Sequence, residues 1–300
     1  MKIVLFISIL IIGSAFSAQQ LSFNSQYMLN QYMINPAAAG QHTEAPISLS
    51  VRQQWAGMQG APVTQFISFN SRLGKKQKMA FGTQFFNDVN GAFKNMGMQG
   101  TYAYHLKINE NSKLSFGASA ILSQTTVDGT NFIVNDYSDE TLLGVKQKSF
   151  APDASAGIFY FCQNVYFGVS ANQLLEAKYS FGENLTQNRQ VNHIYASGGV
   201  TIKMAPGYRL EPSFLLKTVG TAPTEIDLNA RFLYRENVWL GFSYRNSGAT
   251  ALMVGLERDR FVIGYAHDFT SSNIKNYSAG TNELYLQYSF KNKHKGATKF

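Results

Sequence analysis

NELYLQYSF, residues 282–290, alternates without a break. In an extended chain Leu284, Leu286, Tyr288 and Phe290 share one face, and Glu283, Tyr285, Gln287 and Ser289 share the other. One face suits lipid and the other suits a polar lumen. IDLNARFLYR, residues 226–235, repeats the pattern, with Leu228, Ala230, Phe232 and Tyr234 opposing Asp227, Asn229, Arg231 and Leu233. From Pro46 onward such segments recur between turn residues, starting near positions 46, 62, 78, 95, 112, 153, 164, 192, 208, 226, 237, 248, 260 and 281. The expected fold is therefore all-β: a transmembrane outer-membrane β-barrel of about 14 antiparallel strands, with a short N-terminal helical segment.

The connections sort by length. GKKQK, NENS, QN, APG, EN and RDR are short and fall at one end, which is then the periplasmic one. Thr125–Pro152, Gln173–Val191 and TSSNIKNYSAG (270–280) are long and fall at the other. A soluble sandwich has no reason to sort its loops in this way. Aromatic residues also recur near strand ends, at Trp55, Tyr104, Tyr234, Tyr244 and Phe290, where lipid-boundary girdles would sit.

Outside the strands, Met1 and Lys2 precede an apolar run, Ile3 to Ile12, and the small residues Ala15 and Ser17, which reads as a secretory leader cleaved after Ser17. No later apolar run reaches the roughly 18 residues of a membrane helix. The expected organisation is a leader over residues 1–17, an N-terminal segment over 18–45, a barrel over 46–291 and a mobile tail over 292–300. Cys162 is the only cysteine, so no internal disulfide staples this exported chain. The net charge of +8 is scattered rather than gathered in a stripe, and export removes nucleic acid as a partner. The basic runs Lys75–Lys78 and Lys291–Lys299 are expected to be solvated ends.

Several stretches in order, above all QYMLNQYMINPA (residues 26–37) and RQQWAGMQGAP (52–62), resemble the PorP/SprF family of outer-membrane proteins of the type IX secretion system. FNDVNG, KLSFGASAILSQ, DLNARF, WLGFSYR and IGYAHDF extend the resemblance over nearly the whole mature chain. Ala38, where the family suggests an aromatic residue, and Asn282, where it suggests a histidine, depart from it. The resemblance implies a non-enzymatic outer-membrane component that anchors or assists export of a large cell-surface protein, such as a gliding adhesin, with a C-terminal sorting domain. Outer-membrane lipid and periplasmic secretion-ring components are the further partners it implies. A channel for small solutes is the alternative.

NSQYMLNQYMINPAAAGQ, residues 24–41, precedes the first strand. Tyr27, Met28, Leu29, Tyr32, Met33 and Ile34 recur at helical spacing, with Asn24 or Ser25 as cap and Pro36 as terminator, so one short amphipathic helix is expected. It would enter from the periplasmic side as a plug, or lie beneath the barrel as a strap. Alternation turns Arg52, Arg72, Lys107, Arg209, Glu211, Asp227, Arg231, Arg245, Asp268 and Glu283 inward. Charges of both signs suit cross-lumen pairing or the fixing of a plug better than a single-sign selectivity ring. Tyr27, Tyr32, Arg52, Asp227, Arg231, Arg245 and Glu283 are the candidate lumen or plug residues.

Catalytic chemistry has little to work with. His267 and Asp268 are neighbours on a strand and point to opposite faces, and His42, His105 and His193 have no partner at useful spacing. Cys162 reads as an apolar packing residue, and the glycines lack the strand-to-helix context of a phosphate loop. No enzymatic activity, cofactor or metal is expected.

Overall fold

The computed structural model describes residues 24–74, 76–129, 146–179, 188–220, 222–271 and 273–291. The leader and the tail over 292–300 lie outside them. The first seven strands are β1 (Ala45–Gln53), β2 (Val63–Leu73), β3 (Met79–Asn90), β4 (Phe93–Lys107), β5 (Ser112–Asp128), β6 (Lys146–Cys162) and β7 (Val165–Asn172). A separate two-stranded ribbon, β8 (Lys178–Tyr179) and β9 (Asn188–Arg189), follows. The remainder are β10 (His193–Val200), β11 (Ile202–Ala205), β12 (Tyr208–Val219), β13 (Glu225–Tyr234), β14 (Val238–Arg245), β15 (Ala249–Arg258), β16 (Phe261–Thr270) and β17 (Thr281–Phe290).

All but the ribbon belong to one antiparallel sheet that closes on itself. β10 and β11 both pair with β12 and form one strand interrupted at Thr201, so the barrel has fourteen strands. Closure is made by β1 against β17, from Ala45 opposite Phe290 to Gln53 opposite Asn282. Closure leaves no sheet edge unpaired, as a membrane requires.

Alternation holds around the wall. On β14, Val238, Leu240, Phe242 and Tyr244 are exposed while Trp239, Gly241, Ser243 and Arg245 are buried. Tyr104, Tyr234 and Phe290 face outward near the short-turn end and Tyr244 near the other. Trp55 does not join them: it sits half-buried in the β1–β2 connection with a left-handed backbone, φ 48°. Strand starts agree with the alternation to within two residues, with one exception. β6 begins at Lys146 rather than near 153, because it and β5 run for 17 residues each, well beyond the roughly 9–11 that cross a bilayer. Above the lipid, outward positions such as Lys146 and Lys148 are free to be polar, and the alternation signal disappears.

The expected helix over residues 24–41 is absent. In its place are three single 3-10 turns, Tyr27–Leu29, Gln31–Met33 and Pro36–Ala38. Asn30, at φ −145° and ψ 83°, breaks the run between the first two. Asn35 caps the third, its side-chain oxygen accepting from the Ala37 N–H at 2.9 Å with Pro36 in the first turn position. An amphipathic helix is the solution for a segment with one wet face. This segment has wall on every side, and short turns let its side chains radiate in all directions.

Candidate functional site

Residues 24–40 lie inside the barrel and bond to its wall around most of the circumference. Asn24 donates to Ser50 on β1 and Asn30 to Ser68 on β2, each at 2.9 Å. The Tyr32 hydroxyl pairs with Thr101 on β4 at 2.8 Å. Ser170 on β7 donates to the Ile34 carbonyl at 2.6 Å, and Ser197 on β10 donates to the Gln31 side-chain oxygen at 3.1 Å. Tyr27 packs against Tyr195 and Leu215.

The segment runs the length of the lumen and joins β1 at the short-turn, periplasmic end. Its first described residues, Asn24–Gln26, lie near the long-loop end, and Gly40 and Gln41 lie at the short-turn end, where Arg72 donates to their carbonyls at 2.6 and 2.7 Å. Gly40 sits at φ +70° against Ala80, where any side chain would collide, since a Cβ would come within 2.5 Å of the alanine methyl.

At the outer end five charges share one site. Arg52 donates to Glu283 at 3.0 Å, to Asp268 at 2.7 Å and to the Ser25 hydroxyl at 2.9 Å. Arg245 reaches Asp227 at 3.1 Å, with Asp268 at 3.7 Å. All five side chains are buried, so each charge needs compensation. Two guanidiniums face these three buried carboxylates, Glu225 stands 3.8 Å from Arg245 as a fourth, and the segment supplies what is missing. The Ser25 and Gln26 N–H groups donate to the two oxygens of Glu283 at 2.7 and 3.1 Å, and the Ser25 hydroxyl donates to Asp268 at 2.7 Å. The wall and the luminal segment therefore complete one hydrogen-bonded network between them.

Of the candidate lumen or plug residues, Tyr27, Arg52, Asp227, Arg245 and Glu283 meet at or beside this network, and Tyr32 lies further along the same segment. Arg231 stands apart, held between Glu211 at 2.9 Å and Glu257 at 3.4 Å and lying over the Trp239 ring. Lys107 shares the inward parity of His105 but is at the rim, half exposed, on Glu110. Sequence reasoning missed Ser25 and Asn35, and also a set of wall glycines. A Cβ on Gly117 would fall 2.4 Å from the Ala37 nitrogen, one on Gly157 2.2 Å from the Asn35 side-chain oxygen, and one on Gly82 2.6 Å from the Tyr32 hydroxyl. Inward-facing glycines in otherwise regular strands were the available signal, because they mark close approach of another chain segment.

This seat makes a prediction. Gly117→Val suits a strand but not the segment, so the barrel should still form while residues 35–38 are displaced. Chymotrypsin, which finds Tyr27 and Tyr32 buried in the native protein, should then cut there. Continued resistance would show that the segment is not seated on Gly117.

A family model of the type IX secretion system membrane protein PorP/SprF matches residues 16–288. The chain belongs to the PorP/SprF family. No curated protein sequence matches it. Among solved structures, this PorP/SprF protein is similar to the Ralstonia pickettii toluene transporter TbuX, at 12% identity and TM-score 0.50 over 86% of this chain and 92% of that one. It is similar also to a Pseudomonas aeruginosa FadL homologue, at 11% identity and TM-score 0.52 over 85% and 93%. The CymD monoaromatic hydrocarbon channel gives 12% and 0.52 over 91% and 94%. Identities this low establish the shared barrel and nothing about cargo. Family and fold together make the protein an outer-membrane component of the type IX secretion system.

Proposed function

We propose that this PorP/SprF protein anchors, or assists the export of, a large cell-surface protein such as a gliding adhesin bearing a C-terminal sorting domain, and that residues 24–40 plug the lumen meanwhile. The observation that supports this reading is the shared network of Arg52, Asp268 and Glu283 with Ser25 and Gln26, which ties the segment into the wall. A plugged barrel is poorly suited to free diffusion and well suited to presenting its outer loops as a fixed surface. Tyr27, Tyr32, Arg52, Asp227, Arg245 and Glu283 are then plug-holding residues.

The test is purification of the tagged protein from its native outer membrane in mild detergent, with an unrelated barrel as control. Mass spectrometry is expected to identify a large surface protein, with or without periplasmic secretion-ring components. A solitary barrel would move the small-solute channel to the front.

A further inference from the structure

Above the luminal segment, toward the long-loop end, lies a cavity of about 140 Å³. Tyr27, Met33 and Ile34 of the segment line it from one side, and the wall contributes Phe66, Phe86 and Tyr195. The Phe66 and Phe86 rings lie 6.4 Å apart. Set into this apolar lining are polar side chains of one kind of vacancy. Among the described residues, Asn24 Oδ1, Gln84 Oε1, Asp153 Oδ2, Gln173 Oε1 and Gln190 Oε1 are buried without a hydrogen-bond partner, and every one of them is an acceptor. Asn24, Gln84, Asp153 and Gln190 are all more than nine-tenths buried. A buried acceptor without a donor is costly, and a carboxylate oxygen is the costliest of these. Asp153 is fixed in place by its other oxygen, which accepts from the Ala154 and Leu175 N–H groups at 2.6 and 3.0 Å. Asp88 adds a second carboxylate, and no Lys, Arg or His lines the cavity among the described residues.

We infer that this cavity binds an organic cation, an ammonium or guanidinium carried on an apolar stem. The head would donate to Asp153 and the amide oxygens while the stem lies along Phe66 and Phe86. Two sources offer that chemistry, a lysine or arginine side chain of a protein segment entering from outside and a free amine. The site is defined by its own residues and stands whether or not the protein anchors an adhesin.

Calorimetry on the full-length barrel in detergent tests this with Nα-acetyl-lysine amide, the neutral isostere Nα-acetyl-norleucine amide, and n-butylamine. Asp153→Asn is the variant of choice. It keeps the acceptor for Ala154 and Leu175 and turns the orphaned oxygen into a donor. The expected result is saturable binding of the lysine probe, roughly tenfold or more weaker for norleucine and for Asp153→Asn, since an unmatched buried polar group typically costs at least that much. Tighter binding of the lysine probe than of n-butylamine assigns the site to a protein segment, and the reverse order assigns it to free amines. Equal binding of lysine and norleucine, an unaffected Asp153→Asn, or no binding of either amine would overturn the inference. Heat-modifiable migration of Asp153→Asn on gels confirms that the variant is folded.

Discussion

Removing Asn24–Gly40 is expected to turn a barrel of low conductance into an open pore. Eight-stranded barrels are filled by their own side chains and barrels of 16–18 strands enclose aqueous channels, so a fourteen-stranded wall leaves a lumen that something must fill. The wall does not depend on the segment for its closure, which is made by nine residue pairs between β1 and β17. Nor does the exposed surface need new partners, because Asp227, Asp268 and Glu283 become hydrated once water enters. Single-channel conductance in planar bilayers should rise roughly tenfold or more over the intact protein, toward that of a water-filled barrel. The opened pore should favour cations, since at the outer cluster the carboxylates of Glu225, Asp227, Asp268 and Glu283 outnumber the guanidiniums of Arg52 and Arg245. Unchanged conductance would show that the segment does not control the lumen. High conductance of the intact protein would favour the small-solute channel.

How much of this was legible depends on which solvent each residue faces. Lipid on one side and a polar interior on the other impose a period of two on every crossing, so the fourteen strands and the inward parity of Arg52 and Glu283 could be read directly. That the two stand directly opposite each other is a consequence of closure, which brings residue 52 to residue 283 and leaves no local trace. Alternation does not mark the start of β6, because its first residues, including Lys146 and Lys148, rise above the lipid. The segment over residues 24–41 misled for the converse reason. Its apolar spacing suggested one buried face, whereas Tyr27, Gln31 and Tyr32 are all buried in different directions by the surrounding wall. The cavity left no trace in the sequence at all, since Gln84, Asp153 and Gln190 come from separate strands and loops.

Arg52→Ala should release the outer end of the segment without unfolding the barrel. The substitution leaves Asp268 and Glu283 buried with their nearest cation gone, and removing one partner of a buried ion pair costs about 3–5 kcal/mol when the other stays in place. The protein has a way to avoid most of that cost. Asn24–Gln26 can withdraw, water can reach both carboxylates, and the β1–β17 pairing is untouched. Withdrawal forfeits the Ser25 and Gln26 bonds to Glu283, but hydration replaces them. The variant is therefore expected to migrate as a folded, heat-modifiable barrel, to become sensitive to chymotrypsin at Tyr27, and to show conductance between those of the intact and deleted forms. Arg52→Lys should restore little, because one ammonium cannot reproduce the fixed fork that meets Ser25, Asp268 and Glu283 together. Arg231→Ala provides the control. It also removes a luminal guanidinium bridging two carboxylates, but Glu211 and Glu257 are partly solvated, and among the described residues its ion pairs and ring contact are made to the wall. If Arg231→Ala opens the pore as far as Arg52→Ala does, the effect is one of lumen charge in general and the anchoring role of Ser25 and Gln26 is wrong.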